Sequence, residues 1–243
     1  MNSTLGSAAS APLAYGAIRR LTGPLDGYSR ATGRGLATQV AAGRHLRIVE
    51  TGEKRLRVRL LEDGYPCWLE RQALEGASEE CSRPALARLS RSAIASRLDR
   101  VLSFAEAARL QPNHYLWGGT LGPDFDCSGL IQTAFAAAGI WLPRDAYLQE
   151  RFCLPVAVRA GVTSLLQPGD LIFFGSNRRC THVGLHLGGG RYLHSSGREH
   201  GRNGIGIDDL NPRNPDPVAC HYRRELRGAG RVMHSHDGSP RPD

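Results

Sequence analysis

From Arg44 onward, apolar and polar residues alternate. Leu46 and Ile48 are followed by a Thr51-Gly52 turn, and then Leu56, Val58 and Leu60 interleave with Arg55, Arg57 and Arg59. A period of two marks strands with one buried face, so this stretch predicts a small antiparallel sheet. Asp63-Gly64 supplies the next turn, and Tyr65-Pro66-Cys67-Trp68-Leu69 reads as another short strand with large aromatic fillers. Short strands and tight turns in so short a span suggest a small barrel. Ahead of them, residues 1 to about 32 are rich in Gly, Ser and Ala and read as a partly ordered lead-in.

The period changes after a composition shift at Glu75 to Arg83. Starting at Pro84, the apolar residues Ile94, Leu98, Val101, Leu102, Ala105 and Ala108 recur at helical spacing until Pro112, which predicts one long helix. A glycine-rich loop (Gly118, Gly119, Gly122) leads to a second helix over Cys127 to Ala138. Then Pro168-Gly169-Asp170 launches Leu171-Ile172-Phe173-Phe174, and the strands Thr181 to Leu187 and Arg191 to Ser195 are joined by Gly188-Gly189-Gly190. Helices followed by an antiparallel sheet make an α+β arrangement. The expected division is 1–83 for lead-in and barrel, 84–233 for the α+β domain, and 234–243 for a frayed polar tail.

Composition narrows the class. The 243 residues suit one large or two small domains, and no apolar run approaches the ~18 residues of a spanning helix. Met1 to Arg20 lacks a basic segment followed by an apolar core, so a cytoplasmic protein without membrane contact is expected. Lys+Arg 31 against Asp+Glu 23 gives +8, with Lys54 the single lysine. No block of five like charges occurs, so the arginines read as scattered and solvated, and nucleic acid is not an expected partner. The six cysteines form no Cys-x-x-Cys pair, which indicates neither a disulfide framework nor a structural zinc site.

Two segments carry candidate chemistry. In Asp124-Phe125-Asp126-Cys127-Ser128-Gly129-Leu130, Asp126 suits an N-cap and places Cys127 in the first helical turn. Cys127 shares the apolar stripe of Leu130, Ile131, Ala134, Phe135 and Ala138, so it faces the sheet. The helix N-terminus favours a thiolate there, although a small buried hydrophobe fits the position equally well. In the second segment, a three-residue loop at Gly188 to Gly190 pairs Leu187 with Arg191 and Gly184 with His194. His182 and His194 then share a face as diagonal neighbours, with Gly184 leaving room between them, whereas an even loop would separate them. Cys127 as nucleophile, His182 as base and His194 as orienter form a nucleophile–base–third-group set. His182 and His186 lie ~13 Å apart on a strand, too far to share one metal ion, and no metal is expected.

Tyr115-x-Trp117-Gly118-Gly119, Phe125-Asp126-Cys127-Ser128-Gly129-Leu130, Leu142-Pro143-Arg144-Asp145, Pro168-Gly169-Asp170-Leu171, His182-Val183-Gly184 and His194-Ser195-Ser196 resemble, in order, the motifs of the NlpC/P60 cysteine peptidases. The preceding strands resemble the bacterial SH3-like module that accompanies this domain in γ-D-glutamyl-L-diamino-acid endopeptidases. The resemblance implies a papain-like domain, helices packed on an antiparallel sheet, behind an SH3-like barrel. It also implies Cys127 as nucleophile, His182 as general base, His194 as third polar residue and Tyr115 beside the oxyanion. Asp126, Ser128, Tyr65 and Trp117 match positions around the substrate. The implied substrate is a murein peptide with a free N-terminal L-Ala, cut between γ-linked D-Glu and the diamino acid during recycling. No cofactor is implied. Ala146 departs from the family, since many members have a serine or threonine there. Two alternatives stay open: a thioester-forming acyltransferase, and a non-catalytic basic module that grips glycan or nucleic acid through Arg55, Arg57 and Arg59. The 199–216 segment is read either as cleft lining or as a surface loop, and the oligomeric state is not readable.

Overall fold

A computed structural model describes residues 12–239. The expected lead-in over residues 1–11 and the tail over 240–243 lie outside them. Within the described part, strands begin earlier than the alternation suggested. β1 (Ile18–Leu21), β2 (Leu25–Tyr28) and β3 (Leu36–Val40) precede β4 (His45–Glu50), β5 (Arg55–Leu60) and β6 (Pro66–Glu70). A short helix α1 (Arg71–Gly76) leads into β7 (Ser78–Glu80). All seven strands join one antiparallel sheet in the order β3-β2-β6-β5-β4-β1-β7. The described part of the supposed lead-in therefore holds two strands of the sheet. β1 and β2 have only four residues each, too few to display a period, and their pairing with β4, β7 and β3 decides them. Val40, Leu46, Ile48, Leu56, Val58, Leu60 and Leu69 form the core of this SH3-like domain.

The second domain begins with α2 (Arg91–Ala95) and α3 (Leu98–Leu110), followed by α4 (Cys127–Ala137), α5 (Ala146–Phe152) and β8 (Leu154–Val156). The single helix expected from Pro84 is thus two, and residues 81–90 take no regular form. Ser90 caps α2 by accepting from the Ala93 N–H, and the chain turns at Ser96 before α3 starts. β9 (Leu171–Gly175), β10 (Cys180–Gly188), β11 (Arg191–Ser196), a 3₁₀ turn (Arg198–His200), β12 (Gly204–Asp209), α6 (Pro217–Arg224) and β13 (Leu226–Arg231) complete the chain. The sheet runs β12-β11-β10-β9-β13-β8. Its alternation explains the unbroken apolar run of β9. Leu171 and Phe173 pack toward α3, α4 and α5, whereas Ile172 and Phe174 pack toward α6 on the other face. Both faces are covered, so no polar position is left in the strand.

Residues 234–239 correct the expectation of a frayed tail. Ser235 and His236 are buried; Ser235 Oγ accepts from the Trp141 N–H at 2.9 Å, and the His236 N–H donates to the Trp141 carbonyl at 2.8 Å. The polar composition that suggested fraying is used in hydrogen bonds to the loop after α4.

Candidate active site

The helix α4 starts where the sequence placed it. Asp126 Oδ1 accepts from the Gly129 N–H at 2.7 Å, and Cys127 follows in the first turn, buried. The glycine-rich loop comes close beneath this turn. The Gly118 N–H donates to Asp126 Oδ2 at 2.9 Å, and a Cβ on Gly129 would overlap the Gly119 carbonyl oxygen. A glycine at 129 is what allows the loop and the helix start to touch.

Facing Cys127, the hairpin of β10 and β11 has the expected register at Leu185–Leu193 and His186–Tyr192, but a bulge pairs Gly188, not the expected Leu187, with Arg191. His182 and His194 fall on one face, and His182 Nε2 meets His194 Nδ1 at 2.7 Å. Gly184 serves a different purpose from the one expected: a Cβ there would meet the Tyr192 ring, not the histidines. Tyr222 of α6 stacks on His182 with ring centroids 4.2 Å apart and bonds Ser196 Oγ through its hydroxyl at 2.7 Å. Because Nε2 of His182 is engaged by His194, Nδ1 is the nitrogen left for proton transfer. The backbone N–H groups of Val183, next to His182, and of Ser128 donate to the Cys127 sulfur, which places the thiol against β10.

The electrostatics correct one expectation. Burial pushes the Cys127 thiol up, to about 12, and the Asp126 carboxylate adds to this, outweighing the N–H groups and Arg144 that pull it down. Burial also depresses His182 well below its usual value, with His194, His200 and His221 adding to the effect. The resting pair is thus a neutral thiol beside a neutral imidazole, not the thiolate that the helix terminus alone would favour. Such a pair can react if the base takes the proton as the sulfur attacks. The helix N-terminus still offers the Cys127 N–H, which has no intrahelical acceptor, and Tyr115 lies within electrostatic range of the sulfur. Burial, then Cys127 and Asp126, hold the Tyr115 hydroxyl protonated and able to donate.

Asp126 and Ser128, expected against the substrate, bond to one another and to Arg144. Asp126 accepts from Arg144 Nη1 and Nη2 at 3.1 and 2.5 Å, besides the Gly118 and Gly129 N–H groups and Ser128 Oγ. Ser128 Oγ also accepts from Arg144 Nη1 at 2.9 Å. Five donors use up the lone pairs of the carboxylate, so Asp126 is cap and counter-ion to a buried arginine. Arg144 extends this network to the first domain, donating to Thr38 Oγ1 of β3 at 3.1 Å. The carboxylate that sequence reasoning missed is Asp145, the residue before α5. It is raised by burial above the usual range, forms no ion pair among the described residues, and lies within electrostatic range of Tyr65. Tyr65 itself is kept protonated by burial, then by Asp145. Trp117 is 73% exposed on the loop after Tyr115, so it is not core packing.

Asp208 was also missed. On β12 it accepts from His194 Nε2 at 2.7 Å and from Arg202. The 199–216 segment is therefore partly strand, and Gly204 and Gly206 had hidden it from pattern reading. Cys180 is buried with its thiol toward the His182 carbonyl. Among the described residues no cluster of metal-ligating side chains forms.

Comparison with known proteins agrees with these motifs. The NlpC/P60 family profile matches residues 112–224, and that of the bacterial dipeptidyl-peptidase SH3 domain matches residues 27–74. The bifunctional muramidase/DL-endopeptidase CwlT of Bacillus subtilis is 38% identical over 132 residues, covering 52% of this chain and 35% of that protein. The γ-D-glutamyl-L-lysine dipeptidyl-peptidase of Bacillus subtilis is 42% identical over 84 residues, covering 33% of this chain and 27% of that protein. A crystal structure of an NlpC/P60 family protein from Bacillus cereus aligns with 25% identity and a TM-score of 0.46, covering 90% of this chain and 64% of that one. The chain spans between about a fifth and a third of the length of the curated relatives it matches. With its ordered motifs and these profile matches, the chain carries an NlpC/P60 domain over residues 112–224, behind a bacterial dipeptidyl-peptidase SH3 domain over residues 27–74.

Proposed function

We propose that this chain is a cysteine peptidase that hydrolyses the γ-D-glutamyl-L-diamino-acid bond of murein peptides whose N-terminal L-Ala is free. Cys127 is the nucleophile, His182 the general base and acid, and His194 the orienting group. Sγ attacks the γ-carbonyl carbon while its proton passes to His182 Nδ1, and the oxyanion meets the Cys127 N–H and the Tyr115 hydroxyl. His182 returns the proton to the departing amine as the C–N bond breaks, leaving a thioester. Water, deprotonated by His182, then releases L-Ala-D-Glu and restores the thiol.

The observation that supports the substrate assignment is the proximity of buried Asp145 to Tyr65, a residue of the SH3-like domain. A largely buried carboxylate that makes no direct ion pair among the described residues, near a phenol, suits an ammonium group and discriminates strongly against an acylated one. Trp117, exposed beside Tyr115, would offer an apolar wall. Because the amine is free only in peptides already released from the glycan, the reading is a recycling hydrolase working on soluble fragments in the cytoplasm, with no cofactor. Cell fractionation tests that location, and recovery of the protein outside the inner membrane would reject it. Against the binding-module alternative, Arg55 pairs with Glu70 at 2.7 Å and Arg57 faces Glu50, so the row is partly neutralised.

The test is mass spectrometry of L-Ala-γ-D-Glu-diaminopimelate incubated with the wild type and with Cys127→Ala, beside the N-acetylated peptide. Cleavage of the free-amine peptide alone, by the wild type alone, is expected. Cleavage of both peptides would remove the amine-selective assignment, and ligation to an added amine in place of hydrolysis would favour the acyltransferase.

A further inference from the structure

The segment from 199 to 209 brings two charged side chains to the back of the catalytic strands. The His194 ring is fully enclosed, with Nδ1 on His182 and Nε2 on Asp208, each contact at 2.7 Å. Asp208 in turn receives Arg202 Nη2 at 2.8 Å on both carboxylate oxygens. β12 runs antiparallel to β11 with Gly206 opposite His194, and a Cβ on Gly206 would overlap the Arg202 guanidinium. The missing Cβ is what lets Arg202 lie across the strand and reach Asp208.

We infer that Asp208, clamped by Arg202, is a positioning residue that fixes the tautomers of both histidines and so keeps the lone pair of His182 directed at Cys127. The inference rests on the thiol chemistry proposed above. A carboxylate only accepts hydrogen bonds, so His194 Nε2 must carry a hydrogen. Neutral His194 then has its lone pair on Nδ1, and the 2.7 Å contact requires the hydrogen on His182 Nε2. That leaves His182 Nδ1 unprotonated, the form a base needs. When Sγ gives its proton to Nδ1, no bond at His194 changes, and the imidazolium is stabilised through a ring already polarised by Asp208.

Protonation of His194 reverses the arrangement. It would then donate from Nδ1, His182 would have to accept on Nε2, and the His182 hydrogen would move to Nδ1, where the base is needed. Asp208 favours that proton uptake, while burial and the Arg202 charge oppose it and hold His194 below its usual value. The remaining groups facing His194 are Tyr192 on its own strand, Tyr222 from α6, and His200 from the 3₁₀ turn. Both tyrosines are kept neutral by burial. Arg202 is therefore the counterweight that lets Asp208 orient His194 without charging it.

The experiment follows alkylation of Cys127 by iodoacetamide, read by peptide mass spectrometry from about pH 4 to 9, beside hydrolysis of the murein tripeptide. Asp208→Asn is expected to slow both reactions by about 10²-fold with KM unchanged, and Asp208→Glu to recover part of the rate. Arg202→Gln is expected to move the acid limb to higher pH by about one unit, and Gly206→Ala, which displaces the same guanidinium, to reproduce that shift. If the variants lower thermal stability or scale the rates equally at every pH, with the acid limb where the wild type has it, the pair is structural and the inference falls. Alkylation that follows these shifts without tripeptide hydrolysis would retain the inference and reject the substrate; a wild-type Cys127 inert at every pH would reject both.

Discussion

The two walls of the groove are held in different ways. The Cys127 wall depends on both domains: the start of α4 is capped by Asp126, Asp126 is neutralised by Arg144, and Arg144 bonds Thr38 of the SH3-like sheet. Gln132 of α4 likewise reaches Asp63 of the first domain at 2.8 Å. The histidine wall is built within one sheet, where β10, β11 and β12 place His182, His194 and Asp208 side by side. The position of Cys127 is thus coupled to the docking of the first domain, whereas His182 is fixed by strand register. Disturbing the domain interface should therefore affect the thiol before it affects the histidines.

The largest effect expected is at the point where the walls meet. Cys127→Ala should reduce tripeptide hydrolysis by about 10⁴-fold or more while leaving circular dichroism unchanged, since only one buried sulfur is lost. Residual hydrolysis within tenfold of the wild type would put the chemistry elsewhere.

Breaking the cross-domain wall comes next. Arg144→Ala leaves Asp126 buried without its counter-ion and should cost about 3–5 kcal/mol, seen as a melting temperature lower by roughly 6–20 °C. The cysteine alkylation profile should change with it, and an unaltered profile and melting temperature would separate the Cys127 wall from the first domain.

The histidine wall responds to pH instead. His182 and His194 are both depressed in the folded chain. Their stabilising contribution is complete above the unfolded value of ~6.5 and is lost as pH falls below it, because the unfolded chain binds protons the native one refuses. The slope should reach at most ~1.4 kcal/mol per pH unit for each histidine. Melting curves between pH 8 and 5, about the unfolded value, check this, and a flat profile contradicts the burial of the neutral pair.

The smallest expected effect tests the substrate end. Tyr65→Phe removes one hydroxyl and should raise KM for the free-amine peptide about tenfold, the size of one hydrogen bond to a charged group, with kcat little changed. A fall in kcat at constant KM would assign Tyr65 to the chemistry and not to the amine.

Much of this was legible beforehand. Asp126 as cap and Cys127 in the first turn follow from spacing, a local property, whereas the His182–His194 contact holds only because a bulge before Gly188 restores the register that the two-residue connection would otherwise shift. Asp208 was not legible. It lies among glycines in a strand with little pattern, and its meaning depends on the register that sets β12 against β11. Asp126 was read too simply, because its neighbours in sequence do not reveal that Arg144 fills its second side. The split of α2 from α3 and the packed residues 234–239 were missed for a related reason: polar side chains such as Ser90 and Ser235 find partners that composition does not display.

The sequence by itself determined the two-part architecture, the family motifs and the place of Cys127 in the first turn of its helix, because helix caps and alternation act over a few residues. Only the tertiary structure decided that burial raises the thiol, that Asp126 is the counter-ion of a buried arginine, that Asp145 is buried near Tyr65, and that Asp208 and Arg202 stand behind His194. Each of these depends on burial and on charges brought together from distant segments, and the electrostatic energy of a group is set by its surroundings in space, not by its neighbours along the chain.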